Sequence, residues 1–169
     1  AEEGYLACGD VGRGRLADPD AVVACALHAL GRVHDLAGKR VLVTAGPTVE
    51  PIDAVRYISN PSTGKMGFAL AEAAASRGAS VTLVTGPVAL EDVSGVAMVR
   101  VKTALEMKVA VDAAFPDADI AVFSAAVSDF RPSEVSGRKL KKGADDAALA
   151  HIDLIENPDI LASCGARKR

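Results

Sequence analysis

Tryptophan is absent from this 169-residue chain, and aromatic residues make up only 4% of it. So few flat side chains exclude a stacking platform for single-stranded nucleic acid. Positive charge is not in excess either. A net charge of −3 and a pI of about 5.6 exclude a broad nucleic-acid-binding surface. No apolar run is long enough to span a bilayer, and no signal-like segment opens the chain. We therefore expect a soluble, cytoplasmic protein without a membrane partner. The three cysteines, Cys8, Cys25 and Cys164, are odd in number, far apart and free of any C-x-x-C pair. Neither a disulfide framework nor a zinc site is expected from them. His28, His34 and His151 are equally scattered and read as surface or helix-face residues.

What is present is a large apolar share, 50% hydrophobic against 24% charged. That suits one globular domain with a real core and a short extra segment. Residues 1–38 are the extra segment. "ACGDVGRGRL" is glycine-rich and loop-like, and "DPDAVVACALHALG" reads as a helix with Asp18 as N-cap and Pro19 at its first position. From residue 39 the pattern alternates. "KRVLVTAG", "SVTLVTG", "VAMVRVKT" and "ADIAVFSAAV" read as strands, and "MGFALAEAAASRG" and "ALEMKVAVDAAFP" as helices between them. "ALAHIDLI" reads as an exposed strand, and "ENPDILASCGA" as the start of a helix with Asn157 as N-cap and Pro158 at its first position. The alternation predicts an α/β, Rossmann-like three-layer fold, with helices on both faces of a mostly parallel sheet. A polar, basic flap interrupts it at "SDFRPSEVSGRKLKKGADD".

In such sheets ligands bind beyond the carboxyl ends of the strands. Three segments fall there. The first is the long connection "TAGPTVEPIDAVRYISNPSTGKMG", ending in "NPSTGKMG". It fits neither a P-loop, because Ser59 and Met66 occupy two of the required positions, nor a Rossmann fingerprint. It is either a plain connection capped by Ser62 or a phosphate-binding loop, with Gly64 and Gly67 opening the next helix and Ser62 and Thr63 adding hydroxyls. Its length favours the second reading, since ordinary connections of this kind take about two to six residues. The second strand ends in Thr85-Gly86-Pro87, without the acid that would hold the ribose of a nicotinamide cofactor. The second segment, "SAAVSDFRP", places small residues where a planar base would lie against backbone. Asp129 is there either as a ribose or metal ligand or as a turn residue before Pro132. The third, "GRKLKKG", gathers Arg138, Lys139, Lys141 and Lys142, either as a solvated run or as a cationic flap that offsets a polyphosphate.

Taken together, "GPTVEPIDAVRYISNPSTGKMGFALA", "AAVSDFRP", "KLKK" and "ENPDI" resemble, in this order, the CTP-dependent phosphopantothenate–cysteine ligase family of coenzyme A biosynthesis, over residues 39–160. The resemblance implies a two-step reaction. The carboxylate of 4′-phosphopantothenate attacks the α-phosphate of CTP, releasing pyrophosphate; cysteine then displaces CMP from the acyl-cytidylate. It implies catalytic roles for Asn60, Arg56 and Lys139, with Asn60 contacting the acyl intermediate. It implies CTP contacts at Gly46, Ser62, Gly64, Met66, Gly67, Phe123, Ser124, Ala125, Ala126, Asp129, Lys139, Ile155, Glu156, Asn157 and Pro158. Lys141 and Lys142 belong to the flap, and Asp129 is the candidate metal contact. Mg²⁺ accompanies CTP, and the family is homodimeric.

In bacteria this ligase often follows a flavin-dependent decarboxylase, and "LACGDVGRGRLADP" resembles the end of that domain. Cys8 matches its proton donor. We expect no flavin in this chain, the FMN belonging to the fused decarboxylase, and treat Cys8 as inactive here. The family continues with a further strand, so residues 39–169 read as a C-terminally incomplete ligase domain. The rival readings are a Rossmann-type oxidoreductase, a nonenzymatic dimerisation remnant and the flavin decarboxylase itself.

Overall fold

The computed structural model describes residues 2–5, 9–15, 17–30 and 34–167. The chain divides into two compact units, residues 1–33 and 34–169. The first unit holds an antiparallel hairpin, β1 (Glu2–Tyr5) with β2 (Val11–Arg15), and helix α1 (Pro19–Leu30). Strand β2 corrects the loop expected for "ACGDVGRGRL" over Val11–Arg15, where backbone pairing outweighs the glycines. Asp18 caps α1 as expected, its Oδ1 accepting the Asp20 N–H at 2.8 Å. Cys8 lies outside the described residues.

The second unit is built on four strands: β3 (Arg40–Ala45), β6 (Ser80–Thr85), β7 (Val96–Arg100) and β8 (Ile120–Phe123). All pair in parallel, in the order β7-β6-β3-β8. The strand order reverses between β3 and β8, which makes their carboxyl ends the switch point of the sheet. Helix α2 (Lys65–Ser76) follows β3, and α3 (Ala104–Ala114) follows β7. A short hairpin, β4 (Val49–Pro51) with β5 (Tyr57–Ser59), occupies the long connection between β3 and α2.

Period-two alternation assigns each residue of β3 to a face. Val41, Val43 and Ala45 meet Phe68, Ala71 and Ala74 of α2. Leu42 meets Met107 and Val111 of α3 on the opposite face, together with Ile160 and Cys164. Each fully buried apolar side chain of this kind contributes about 1.5–3 kcal/mol. Helix α3 starts at a capping box not anticipated from sequence: Thr103 Oγ1 accepts the Glu106 N–H, and Glu106 reaches back to the Thr103 N–H.

The last third departs from expectation twice. "ALAHIDLI" splits into a helical turn, α4 (Asp146–Ala150), and strand β10 (Leu154–Glu156), which pairs antiparallel with β9 (Phe130–Pro132). Helix α5 (Ile160–Gly165) is capped by Asp159, whose Oδ1 accepts the Ala162 N–H, and not by Asn157. Pro158 therefore precedes the cap.

The carboxyl end of β6 is closed by contact. A Cβ on Gly86 would lie 1.6 Å from the Pro47 carbonyl oxygen, whereas one on Gly137 would meet nothing within 4 Å. We therefore expect Gly86→Ala to destabilise the domain by about 3 kcal/mol or more. Gly137→Ala should stay within about 0.5 kcal/mol of the parent. Urea unfolding of the two variants checks both.

Candidate active site

Beyond their last residues, the chains leaving β3 and β8 keep pairing. Ala126 N–H donates to the Gly46 carbonyl at 2.8 Å, and Thr48 N–H to the Ala126 carbonyl at 3.3 Å. The buried Thr48 hydroxyl then accepts the Ser128 N–H at 2.9 Å. Gly46 has φ +71°, and a Cβ there would strike Val88, so this turn depends on glycine.

On the α3 and α5 side of this edge lies a cavity of about 750 Å³. Phe123, Ala125 and Val127 form one wall, and Glu156, Asn157 and Pro158 another; Asp129 stands with them. Two motifs 25 or more residues apart thus share one site, joined by the β9–β10 ladder. Asn157 is the brooch between them. Its N–H donates to the Asp129 carbonyl at 2.7 Å and its side-chain NH₂ to the Ser128 carbonyl at 2.8 Å, while its Oδ1 accepts from Arg131. Asp129, Glu156 and Asp159 give the cavity an acidic lining. Such a lining suits a base and the hydroxyls of a ribose, and repels phosphates. Among the described residues no group of three His, Cys, Asp or Glu converges to hold a metal ion. Asp129 fits a metal only as one ligand beside phosphate oxygens, the usual arrangement for Mg²⁺.

The sequence-predicted residues divide between the two faces of the sheet. Phe123, Ala125, Asp129, Glu156, Asn157 and Pro158 line the cavity. Ser124 faces α2: its hydroxyl donates to the Thr44 carbonyl at 2.6 Å, beside Gly67. Ala126 contributes the backbone groups of the switch point. Ile155 is exposed in the ladder opposite Arg131 and does not line the cavity.

Gly64 caps α2 in the left-handed conformation with no side-chain hydrogen bond, so the first N–H groups of α2 carry no side-chain cap. Gly64 packs on Gly46, while Met66 is 72% exposed. Gly67 serves packing. A Cβ there would lie 2.5 Å from the Ala45 Cβ and 2.7 Å from the Ser124 Oγ. That is a reason for glycine distinct from phosphate approach.

Asn60 stands at the switch point. Its NH₂ donates to the carbonyls of Val127 (3.2 Å) and Ala126 (3.4 Å). Two facing carbonyls fix the amide's orientation, leaving Oδ1 as the outward acceptor. Arg56 is engaged within the protein. It forms an ion pair with buried Asp53, and its guanidinium donates to the Leu140 carbonyl at 3.3 Å.

The flap is anchored. Leu140 is buried, its N–H donating to Asp53 Oδ2 at 3.1 Å, and Ser136 N–H donates to the Ile52 carbonyl at 3.0 Å. Arg138 pairs with Asp145 through both terminal nitrogens. Lys139, Lys141 and Lys142 are exposed and free of side-chain ion pairs among the described residues.

Asp53 is held down to a pKa of about 2. The Arg56 N–H contributes most, joined by the Val55 and Leu140 N–H groups and the Arg56 charge, against the opposing effect of burial. Asp145 is held at about 2 chiefly by Arg138 and by the Lys141 N–H. Depressed carboxyl values stabilise above the ordinary value of 3.8, and the effect fades as pH falls through about 2.

Sequence reasoning missed Thr48, Asp53 and Ser128. Ser128 sits inside the quoted "SAAVSDFRP". Thr48 and Asp53 lie in the long loop, where only the tertiary pairing singles them out.

Residues 36–169 match the family model described as the DNA/pantothenate metabolism flavoprotein C-terminal domain. The Coenzyme A biosynthesis bifunctional protein CoaBC of Escherichia coli K12 is 48% identical over 167 residues, 99% of this chain and 41% of that protein. The protein of the same name from Bacillus subtilis 168 is 45% identical over 170 residues, with the same coverage. The chain thus spans about two-fifths of the length of these curated relatives. The crystal structure of the C-terminal domain of a CoaBC superposes with a TM-score of 0.69 at 41% identity, over 80% of this chain and 62% of that one. A Cab2 variant in complex with phosphopantothenate-cysteine shares the fold at 19% identity, with a TM-score of 0.59 over 89% of this chain and 67% of that one.

Two measurements follow from the site geometry. Thr48→Val removes the acceptor of a buried N–H and should cost about 1–3 kcal/mol in urea unfolding. Protection of the Leu140 amide in hydrogen-exchange NMR should stay level from about pH 8 to about pH 4, after correction for intrinsic exchange, and fall only as Asp53 protonates below that range.

Proposed function

The chain belongs to the DNA/pantothenate metabolism flavoprotein C-terminal domain family, and from that premise we propose that residues 39–169 are the phosphopantothenate–cysteine ligase part of a bifunctional coenzyme A biosynthesis protein. Residues 1–38 are then the tail of a preceding decarboxylase and a linker helix, the FMN belonging to that other domain. The reaction joins 4′-phosphopantothenate to cysteine using CTP. The intact protein is, on this reading, a cytoplasmic homodimer. The observation that carries the proposal is that one cavity at the switch point is walled by both "AAVSDFRP" and "ENPDI".

In this reading cytosine lies against Phe123, Ala125 and Val127, and the ribose hydroxyls donate to Asp129. The acidic lining turns the triphosphate outward, across the strand ends at Gly46 and Ala126, toward the uncapped N-terminus of α2. Ser62 and the backbone of Gly64, Met66 and Gly67 belong to that end, with Lys139, Lys141 and Lys142 offsetting its charge. Mg²⁺ bound with CTP supplies further charge neutralisation.

The chain's own task is to orient. A carboxylate oxygen of 4′-phosphopantothenate attacks the α-phosphorus, the bond to the bridging oxygen breaks, and pyrophosphate leaves. The amine of cysteine then attacks the acyl carbon, and CMP leaves with the electron pair of the C–O bond. Asn60, its NH₂ held by two carbonyls, presents Oδ1 as an acceptor. An acceptor there suits an N–H of the attacking amine as well as it suits orientation of the intermediate. Arg56 acts from behind, through Asp53 and the flap.

A dinucleotide-binding oxidoreductase is disfavoured by one further observation. The crevice beside the end of β6, where a cofactor's ribose would lie, is filled by the Pro47 carbonyl against Gly86.

Thermal shift with CTP, ATP and NADH, each with Mg²⁺, tests the reading. CTP should stabilise most, and no response to CTP at millimolar concentration sinks it for this chain. Pyrophosphate release should depend on 4′-phosphopantothenate. Asn60→Asp should retain CTP binding and lose amide formation by about a hundredfold or more. Unchanged product yield removes Asn60 from its role.

A further inference from the structure

Asp53 is a fully covered carboxylate beside the exposed Ala54 and Val55. Its Oδ1 accepts the Val55 and Arg56 N–H groups at 2.7 Å each, which shapes the turn between β4 and β5. Its Oδ2 accepts the Leu140 N–H, while Arg56, paired to the same oxygen, donates to the Leu140 carbonyl. Both backbone groups of one flap residue, 87 positions away, are therefore held by one ion pair. The pair presents an acceptor and a donor side by side, as a neighbouring strand would. The buried Leu140 side chain completes the grip. In a chain held this way, neighbouring side chains project opposite to the buried one. Lys139 and Lys141 flank Leu140 and are both exposed.

We propose that Asp53 is a positioning residue for the polyphosphate of the nucleotide: with Arg56 it clamps Leu140 and thereby fixes where Lys139 stands. The proposal rests on the ligase reading above for the identity of the anion; the clamp itself rests on the hydrogen bonds. Asp53 touches no substrate in this account. Its charge is needed because Oδ2 faces two donors, the Leu140 N–H and the Arg56 guanidinium, which a neutral amide would meet with donors of its own.

Asp53→Asn is the informative variant, since its Oδ1 still serves the β4–β5 turn while its NH₂ opposes the clamp. Hydrogen-exchange NMR should show the Leu140 amide exchanging at least tenfold faster, with core amides of β3 unchanged. Trypsin should cut after Lys139, Lys141 and Lys142 correspondingly faster. In the ligase assay KM for CTP should rise about tenfold, with a smaller change in kcat. Lys139→Ala should raise KM for CTP without altering exchange at Leu140. The double variant should lose no more affinity than Lys139→Ala alone, because Asp53 acts through that lysine.

Unchanged exchange at Leu140 overturns the clamp. Additive KM penalties overturn its link to Lys139. If Asp53→Asn does not fold, Arg56→Gln, which leaves the Asp53 turn in place, takes over the exchange and cleavage tests. Absence of any CTP response in the parent chain sinks the ligase reading, and with it the nucleotide half of this proposal, while the exchange data still judge the clamp.

Discussion

The backbone pairing that continues past the ends of β3 and β8 is the constraint on which the site depends. Parallel strands ordinarily separate at a switch point and leave a crevice. Here Gly46 and Thr48, on either side of Pro47, stay hydrogen-bonded to Ala126 and Ser128, with the Thr48 hydroxyl standing in for a backbone acceptor at the last step. Gly46 permits the turn, and Gly86 makes room for the Pro47 carbonyl. The opening is thereby displaced toward α3 and α5. There the β9–β10 ladder and the Asn157 hydrogen bonds close a second wall.

That displacement separates two chemistries. The cavity wall is apolar and acidic, suited to a base and a sugar. The opposite side of the strand ends carries the uncapped start of α2. An elongated anion with a neutral head has one sensible orientation across such an edge, because carboxylates and phosphates repel at short range. The same alternation that puts Val43 and Leu42 on opposite faces of the sheet puts Ser124 and Ala125 on opposite sides of the site. Four consecutive residues of one motif thus do two different jobs.

The flap shows how a polar segment is ordered beyond its one short strand, β9. Its composition predicts solvation, and most of its side chains are exposed. Three hydrogen-bonded anchors hold it nonetheless: Ser136 to Ile52, Leu140 to the Asp53–Arg56 pair, and Arg138 to Asp145. Two of these use carboxylates whose low pKa values keep them ionised throughout the physiological range. Arg138 is neutralised in the process, whereas Lys139, Lys141 and Lys142 form no side-chain ion pair among the described residues.

The sequence by itself determined the layered α/β architecture, the four central strands and the helices α1, α2 and α3, because hydrophobic period is a local property of the chain. It also determined the cluster of motifs around which the cavity forms, since "NPSTGKMG", "SAAVSDFRP" and "ENPDI" each carry their turn chemistry in adjacent residues. Only the tertiary structure decided the rest. Asn157, read as a helix cap, became a brooch because Ser128 and Arg131 met it first. Arg56 is tied to the flap because Asp53 and Leu140 converge on it. Gly67 and Gly86 are glycines on account of atoms that approach from elsewhere in the chain. In each case the deciding partner lies far away along the sequence, or competes with a local partner of similar strength, and no local pattern records which contact prevails.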